Sequence, residues 1–141
     1  EIYTLSLHDA LPIYFWFSGI GIGYIPFQNI SYLYITNMAP YHTHNTYLQI
    51  AIEMGILGLL VFIILIFSSL KSSIGIVLNN KGKYYRIFVS AYIASISGVL
   101  IHGIAEHIFF NPKIILAFWL TFGVLINYSQ IYREENLRIN Q

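Results

Sequence analysis

Three long apolar stretches organise this chain. Met54 to Leu70 contains no charged residue, and its helical pattern extends back to Thr46, giving a helix of about 37 Å. Ile87 to Ala105 is apolar apart from His102, and Ile114 to Tyr132 is uncharged. Each is long enough for a hydrocarbon core that takes about 20 helical residues to cross. The pattern predicts three transmembrane helices at about 46–70, 84–105 and 113–132. Residues Tyr14 to Pro40 are also aromatic-rich, but Gly19, Gly21, Gly23, Pro26 and Pro40 interrupt them. They are too broken to span and read as a loop near the membrane interface, where Tyr and Trp are favoured.

Composition agrees with that pattern. Charged residues make up 9% of the chain and apolar residues 57%, with a mean hydropathy of +0.65. Soluble domains carry about a quarter charged residues. The expected class is an all-α integral membrane protein, with three transmembrane helices of a larger polytopic bundle behind an outer, periplasmic or extracellular, loop. There is no cysteine, which excludes disulfides and thiolate metal sites.

Charge placement sets the orientation. Lys71, Lys81, Lys83 and Arg86 follow the first span, Arg133 and Arg138 follow the third, and the other side holds only Lys113. By the positive-inside rule the tail 133–141 is cytoplasmic, and loop 14–45 faces outward with the turn at Asn111-Pro112. Residues 1–13 (EIYTLSLHDALPI) fit poorly with the rest of the chain and resemble translated adapter sequence, so His8 and Asp9 carry no weight. The chain opens without Met and is expected to be the C-terminal piece of something longer.

The polar residues inside this frame carry the chemistry. Gly19-Ile20-Gly21-Ile22-Gly23 echoes a phosphate-binding loop, but without a following Lys-Ser/Thr it is better read as turn or hinge glycines. Asn45, Gln49 and Glu53 fall at i, i+4 and i+8 and form one stripe, with Gly55 and Gly58 beyond them offering close approach to another helix. An ionised Glu53 facing lipid is costly, so it must face the bundle. There it either fixes packing through an interhelical hydrogen bond or positions a catalytic histidine or a sugar. On the second helix Ala91, Ser95, Gly98, His102 and Glu106 form a matching stripe. His102 and Glu106, one turn apart, are expected to hydrogen-bond. His42, His44, His102 and His107 gather at the outer boundary. Their spacing is not the His-Glu-x-x-His signature, and no metal or other cofactor is expected.

The run His42-x-His44-Asn45-x-x-Leu48-Gln49-x-x-x-Glu53-x-Gly55-x-x-Gly58 resembles the O-antigen ligase and polymerase family of bacterial membrane enzymes. The resemblance extends over roughly residues 16–132, with its specificity in 42–58. It implies an enzyme of the bacterial cytoplasmic (inner) membrane with its active face outside. There it would transfer a glycan from undecaprenyl diphosphate to a sugar hydroxyl on a lipid A core (a ligase) or on another repeat unit (a polymerase). It also implies no nucleotide sugar and no catalytic metal. On this reading His44 is the general base and transfer inverts the anomeric carbon. His42, Asn45, Gln49, Glu53, His102 and Glu106 position substrate or support His44. One departure matters: a leaving diphosphate calls for positive charge, yet the outer side offers Lys113 and no arginine. The family's arginines lie upstream of the His-Asn run, so the chain is expected to hold half an active site and to be inactive alone. A competing class is a transporter or proton-translocating subunit using Glu53, His102 and Glu106 as a relay. Another is a scaffold whose polar stripes merely join helices. Nothing points to nucleic acid.

Overall fold

A computed structural model describes residues 15–32, 42–79 and 82–139. The expected foreign segment 1–13 and loop residues 33–41 lie outside the described residues. Among those described, the elements are all helical: α1 (Tyr24–Ser31), α2 (Thr46–Asn79), α3 (Lys83–Ala105), a 3-10 turn (Ile108–Phe110) and α4 (Pro112–Ile139). Three of them are long and apolar enough to cross a membrane: Thr46–Asn79, Lys83–Ala105 and Pro112–Glu134. Leu57, Leu60, Val61, Ile64 and Phe67 on α2 are exposed, an apolar surface suited to hydrocarbon rather than water. The first helix runs past Leu70 through Lys71 to Asn79, and the last continues to Ile139 through residues read as tail. Lysine tolerates a helix end at the membrane because its long stem lets the ammonium reach water.

The chain divides into two units, Glu1–Ile63 with His102–Phe110, and Ile64–Ile101 with Asn111–Gln141. In the first, α2 begins with a side-chain cap. Asn45 Oδ1 accepts the Leu48 N–H at 3.0 Å, satisfying a donor that has no partner within the helix. The helix then breaks at Gly55, whose φ of 72° and ψ of 178° are not helical. In an unbroken helix the Ile56 N–H would bond the Ile52 carbonyl. Instead Ile56 donates to the Trp16 carbonyl at 2.7 Å, while the Ile52 carbonyl accepts from Ile20 N–H at 2.8 Å. The Gly21 N–H similarly reaches the Glu53 carbonyl at 3.0 Å. The glycine loop thus supplies partners at the break for the Ile56 N–H and for the Ile52 and Glu53 carbonyls. Unpaired backbone groups within a membrane cost several kcal/mol each, so a break there requires such replacement.

Close approach explains the glycines. A Cβ on Gly19 would collide with the Glu53 carbonyl, and one on Gly55 with the Phe17 carbonyl. Gly58 is filled by Met54 of its own helix. The expectation that Gly55 and Gly58 admit another helix is therefore corrected: Gly55 admits loop backbone, and Gly58 admits a neighbouring side chain displaced by the break. Within the loop, α1 forms after Gly23 and buries Phe27 and Ser31 one turn apart. Phe27 and Ile52 make a small core with Phe15, Ile20, Ile30 and Leu48. The loop is folded rather than merely irregular.

The second unit is joined by small hydroxyls and rings. Ser73 and Ser129 meet with their oxygens 3.0 Å apart, and each also lies within bonding distance of the carbonyl four residues back. One hydroxyl donates across to the other while the second returns its single proton to its own helix. Tyr85 donates to the Tyr128 carbonyl. Its ring lies 5.5 Å from Tyr128 and 5.4 Å from Tyr132.

Candidate active site at the histidine-asparagine run

Residues 42–45 are held by their own helix. Thr43, fully buried, donates its N–H to Gln49 Oε1 at 2.8 Å and its hydroxyl to the Asn45 carbonyl at 2.9 Å. Gln49 is also buried, and its amide donates to Glu53 Oε1 at 2.8 Å. That oxygen accepts the Gly23 N–H at 3.3 Å. The stripe Asn45, Gln49, Glu53 therefore forms a polar line from the glycine loop to the residue beside His44. Glu53 bonds its own helix and a loop, which corrects the expected interhelical bond. Asn45 and Gln49 fix backbone on either side of His44 and do not touch its ring.

The end of α3 supplies the partner of His44. Asn45 Nδ2 donates to the Ile104 carbonyl at 2.8 Å, and the Thr46 hydroxyl donates to the Glu106 carbonyl at 3.0 Å. Thr46 Oγ1 accepts the Ile108 N–H at 3.2 Å, so one hydroxyl fixes both sides of the turn. A Cβ on Gly103 would crowd Thr46 at 3.2 Å. This docking brings the Glu106 carboxylate to His44, with Nδ1 lying 3.0 and 3.1 Å from its two oxygens. A carboxylate only accepts, so Nδ1 carries the proton and Nε2 presents a lone pair when the ring is neutral. The His44 side chain is 73% exposed. His44 also holds the Glu106 carboxyl below its ordinary range, and the His107 backbone N–H adds to that effect.

His42 directs Nδ1 to the Thr43 carbonyl at 2.9 Å, with Glu106 farther off at 3.9 Å. Its ring lies 5.7 Å from His44, 5.5 Å from His107 and 4.6 Å from Phe110. Burial pushes His107 down to about 4, and the neighbouring His42 acts in the same direction. Its Nδ1 is buried without a hydrogen-bond partner. His107 is thus neutral packing within a titratable cluster. Among the described residues, no group of three or more His, Cys, Asp or Glu is arranged to hold a metal ion.

His102 is exposed on α3, and the expected His102–Glu106 side-chain bond does not form. The reason is local: α3 ends at Ala105, so Glu106 leaves the helical stripe and its carboxylate turns to His44 and the His107 N–H. Sequence reasoning also passed over Thr43 and Thr46. A threonine directly after an N-cap asparagine was the available sign for Thr46.

Residues 6–63 match the family described as O-antigen ligase. That stretch is O-antigen ligase-like. The match begins inside segment 1–13 and takes in the glycine loop, the His-Asn run and the first part of α2 with its break at Gly55. Proteins named as polysaccharide ligases in Rickettsia typhi and Rickettsia prowazekii are each 42% identical over 55 residues, and one in Rickettsia felis is 40% identical over 55 residues. Each alignment takes in 38% of this chain and 14% of the relative. No solved structure matches the chain. The ligase-like stretch thus supplies both the helix break and His44, while Glu106 comes from beyond it.

Proposed function

We propose that the chain is part of a membrane glycosyltransferase in which His44 is the general base. It acts outside the cytoplasmic membrane, with the C-terminus on the cytoplasmic side. The observation that carries this reading is the exposed His44 ring with Nδ1 held 3.0 Å from Glu106. In the reaction an acceptor sugar hydroxyl gives its proton to His44 Nε2 as its oxygen bonds the anomeric carbon of the donor glycan. The bond from that carbon to undecaprenyl diphosphate breaks, and the diphosphate leaves with the electron pair from the opposite face. A single displacement inverts the anomeric centre. Glu106 fixes the tautomer beforehand and stabilises the imidazolium afterwards. Asn45, Gln49 and Glu53 act on His44 through backbone, and His42 lines the same face.

Charge for the departing diphosphate must come from elsewhere, because the residues around His44 are histidines and a carboxylate. On the family resemblance that charge belongs to arginines in outer loops, and on this reading the chain alone is inactive. The acceptor, lipid A core for a ligase or a further repeat unit for a polymerase, is the remaining choice within the class. The test uses the protein expressed from its complete gene in cells whose surface polysaccharide is analysed. His44→Ala is expected to abolish long glycan chains on the finished surface polysaccharide and accumulate lipid-linked donor while membrane abundance stays unchanged. Accumulated single repeat units identify a polymerase, and accumulated long chains on lipid identify a ligase. An unaltered glycan profile would overturn the proposal and favour the transporter reading.

A further inference from the structure

A second polar site lies in the other unit. Ser68, Ser69 and Ser72 of α2 and Ser129, Gln130 and Arg133 of α4 line a cavity of about 200 Å³. The spacing is helical on both walls: 68, 69 and 72 share one face, as do 129, 130 and 133. We propose that this cavity binds a phosphate group, with Arg133 supplying the charge and the Ser68, Ser69 and Ser72 hydroxyls and Gln130 amide supplying further donors.

Arg133 is placed for that task. Its Nη2 donates to Ser72 Oγ at 2.6 Å, which orients the guanidinium and leaves the Ser72 proton to donate onward. A guanidinium has five N–H donors in a planar fork suited to oxyanions, and Ser72 takes only one of them. No carboxylate lines the cavity, and no ion pair involves Arg133 among the described residues. Ser129, engaged by Ser73 and by the Leu125 carbonyl of its own helix, forms a fixed base. Arg133 also stands at the end of the candidate span Pro112–Glu134, where lipid headgroups meet the helix. Two sources share this chemistry: the headgroup of an anionic phospholipid and free inorganic phosphate. The proposal is independent of glycosyl transfer at His44.

Native mass spectrometry of the protein from its complete gene, in detergent, tests it with phosphatidylglycerol and with diacylglycerol of the same chains. Phosphatidylglycerol should be retained and diacylglycerol lost, with Arg133→Gln cutting retention ~10-fold or more, the scale of a lost charge-assisted hydrogen bond. Lys83→Gln, an exposed basic residue outside the cavity, should leave retention unchanged. Displacement of the lipid by added inorganic phosphate assigns the site to free phosphate; persistence assigns it to the headgroup. Equal retention of the two lipids, wild-type retention by Arg133→Gln, or an equal loss in Lys83→Gln overturns the proposal. Should Arg133→Gln fail to fold, Arg133→Lys and Ser72→Ala replace it, and unchanged retention in both has the same meaning.

Discussion

The histidine-bearing unit and the serine-bearing unit solve the same problem, polar groups within an apolar chain, in opposite ways. In the first, backbone is broken at Gly55 and repaired by a loop, and the buried polar side chains Thr43 and Gln49 bond across sequence to fix one exposed imidazole. In the second, the helices run unbroken and Ser73 and Ser129 can each fall back on a carbonyl one turn away. The lesson concerns redundancy. A hydroxyl with a local alternative loses little when its partner is removed, whereas a loop that supplies the only partner for a broken helix is indispensable.

The largest effect separating the units should be functional. His44→Ala is expected to lower transfer by ~10²–10⁴-fold, the range for a general base. Glu106→Gln should lower it less, because Nε2 remains while its tautomer is no longer enforced. Lipid-linked donor turnover in membranes measures both. Equal activity in wild type and His44→Ala would remove the functional half of the contrast.

Stability should separate them next. Gly55→Ala and Gly19→Ala each force a side chain into a positive φ against a carbonyl, and should destabilise by about 1–3 kcal/mol or more. Gly75→Ala in the second unit meets nothing within 4 Å and should be neutral or stabilising by up to ~1 kcal/mol. Thermal unfolding in detergent compares the two substitutions directly. A smaller loss at Gly55 than at Gly75 would mean that the loop does not repair the break.

Acid should act on the histidine cluster. His107 is held neutral down to about 4 by burial, whereas an unfolded histidine takes a proton near its ordinary value of about 6.5. Its contribution is therefore complete above 6.5 and is lost as pH falls towards 4. Glu106, shifted down, contributes above the ordinary carboxylate range and loses that contribution as pH falls through its lowered value. Both effects have one sign, so stability falls on acidification. His107→Gln should flatten the slope between those limits in a pH series of thermal melts. The smallest effect belongs to Ser73→Ala, about 0.6 kcal/mol, because Ser129 keeps its own carbonyl.

How much of this was legible in sequence depends on range. Three apolar runs gave three long helices, since the lack of charge over some twenty residues is a local property that the membrane reads directly. The positions of Gly19, Gly21 and Gly23 marked turns, and all three have positive φ. The helix α1 was hidden among those breakers, because an eight-residue helix is marginal alone and here packs Phe27 against the distant Ile52.

Sequence by itself determined the membrane-spanning class and brought His44, Asn45, Gln49 and Glu53 into consideration, because periodicity and cost of burial are set by neighbours a few residues apart. The tertiary structure alone decided who holds His44. Helical spacing favoured His102 as the partner of Glu106, yet the end of α3 at Ala105 delivers that carboxylate to a histidine 62 positions away. It likewise decided that Gly55 is a break rather than a smooth contact. Both decisions rest on partners brought together from distant parts of the chain, and no local pattern encodes which distant group will complete an unpaired donor or acceptor.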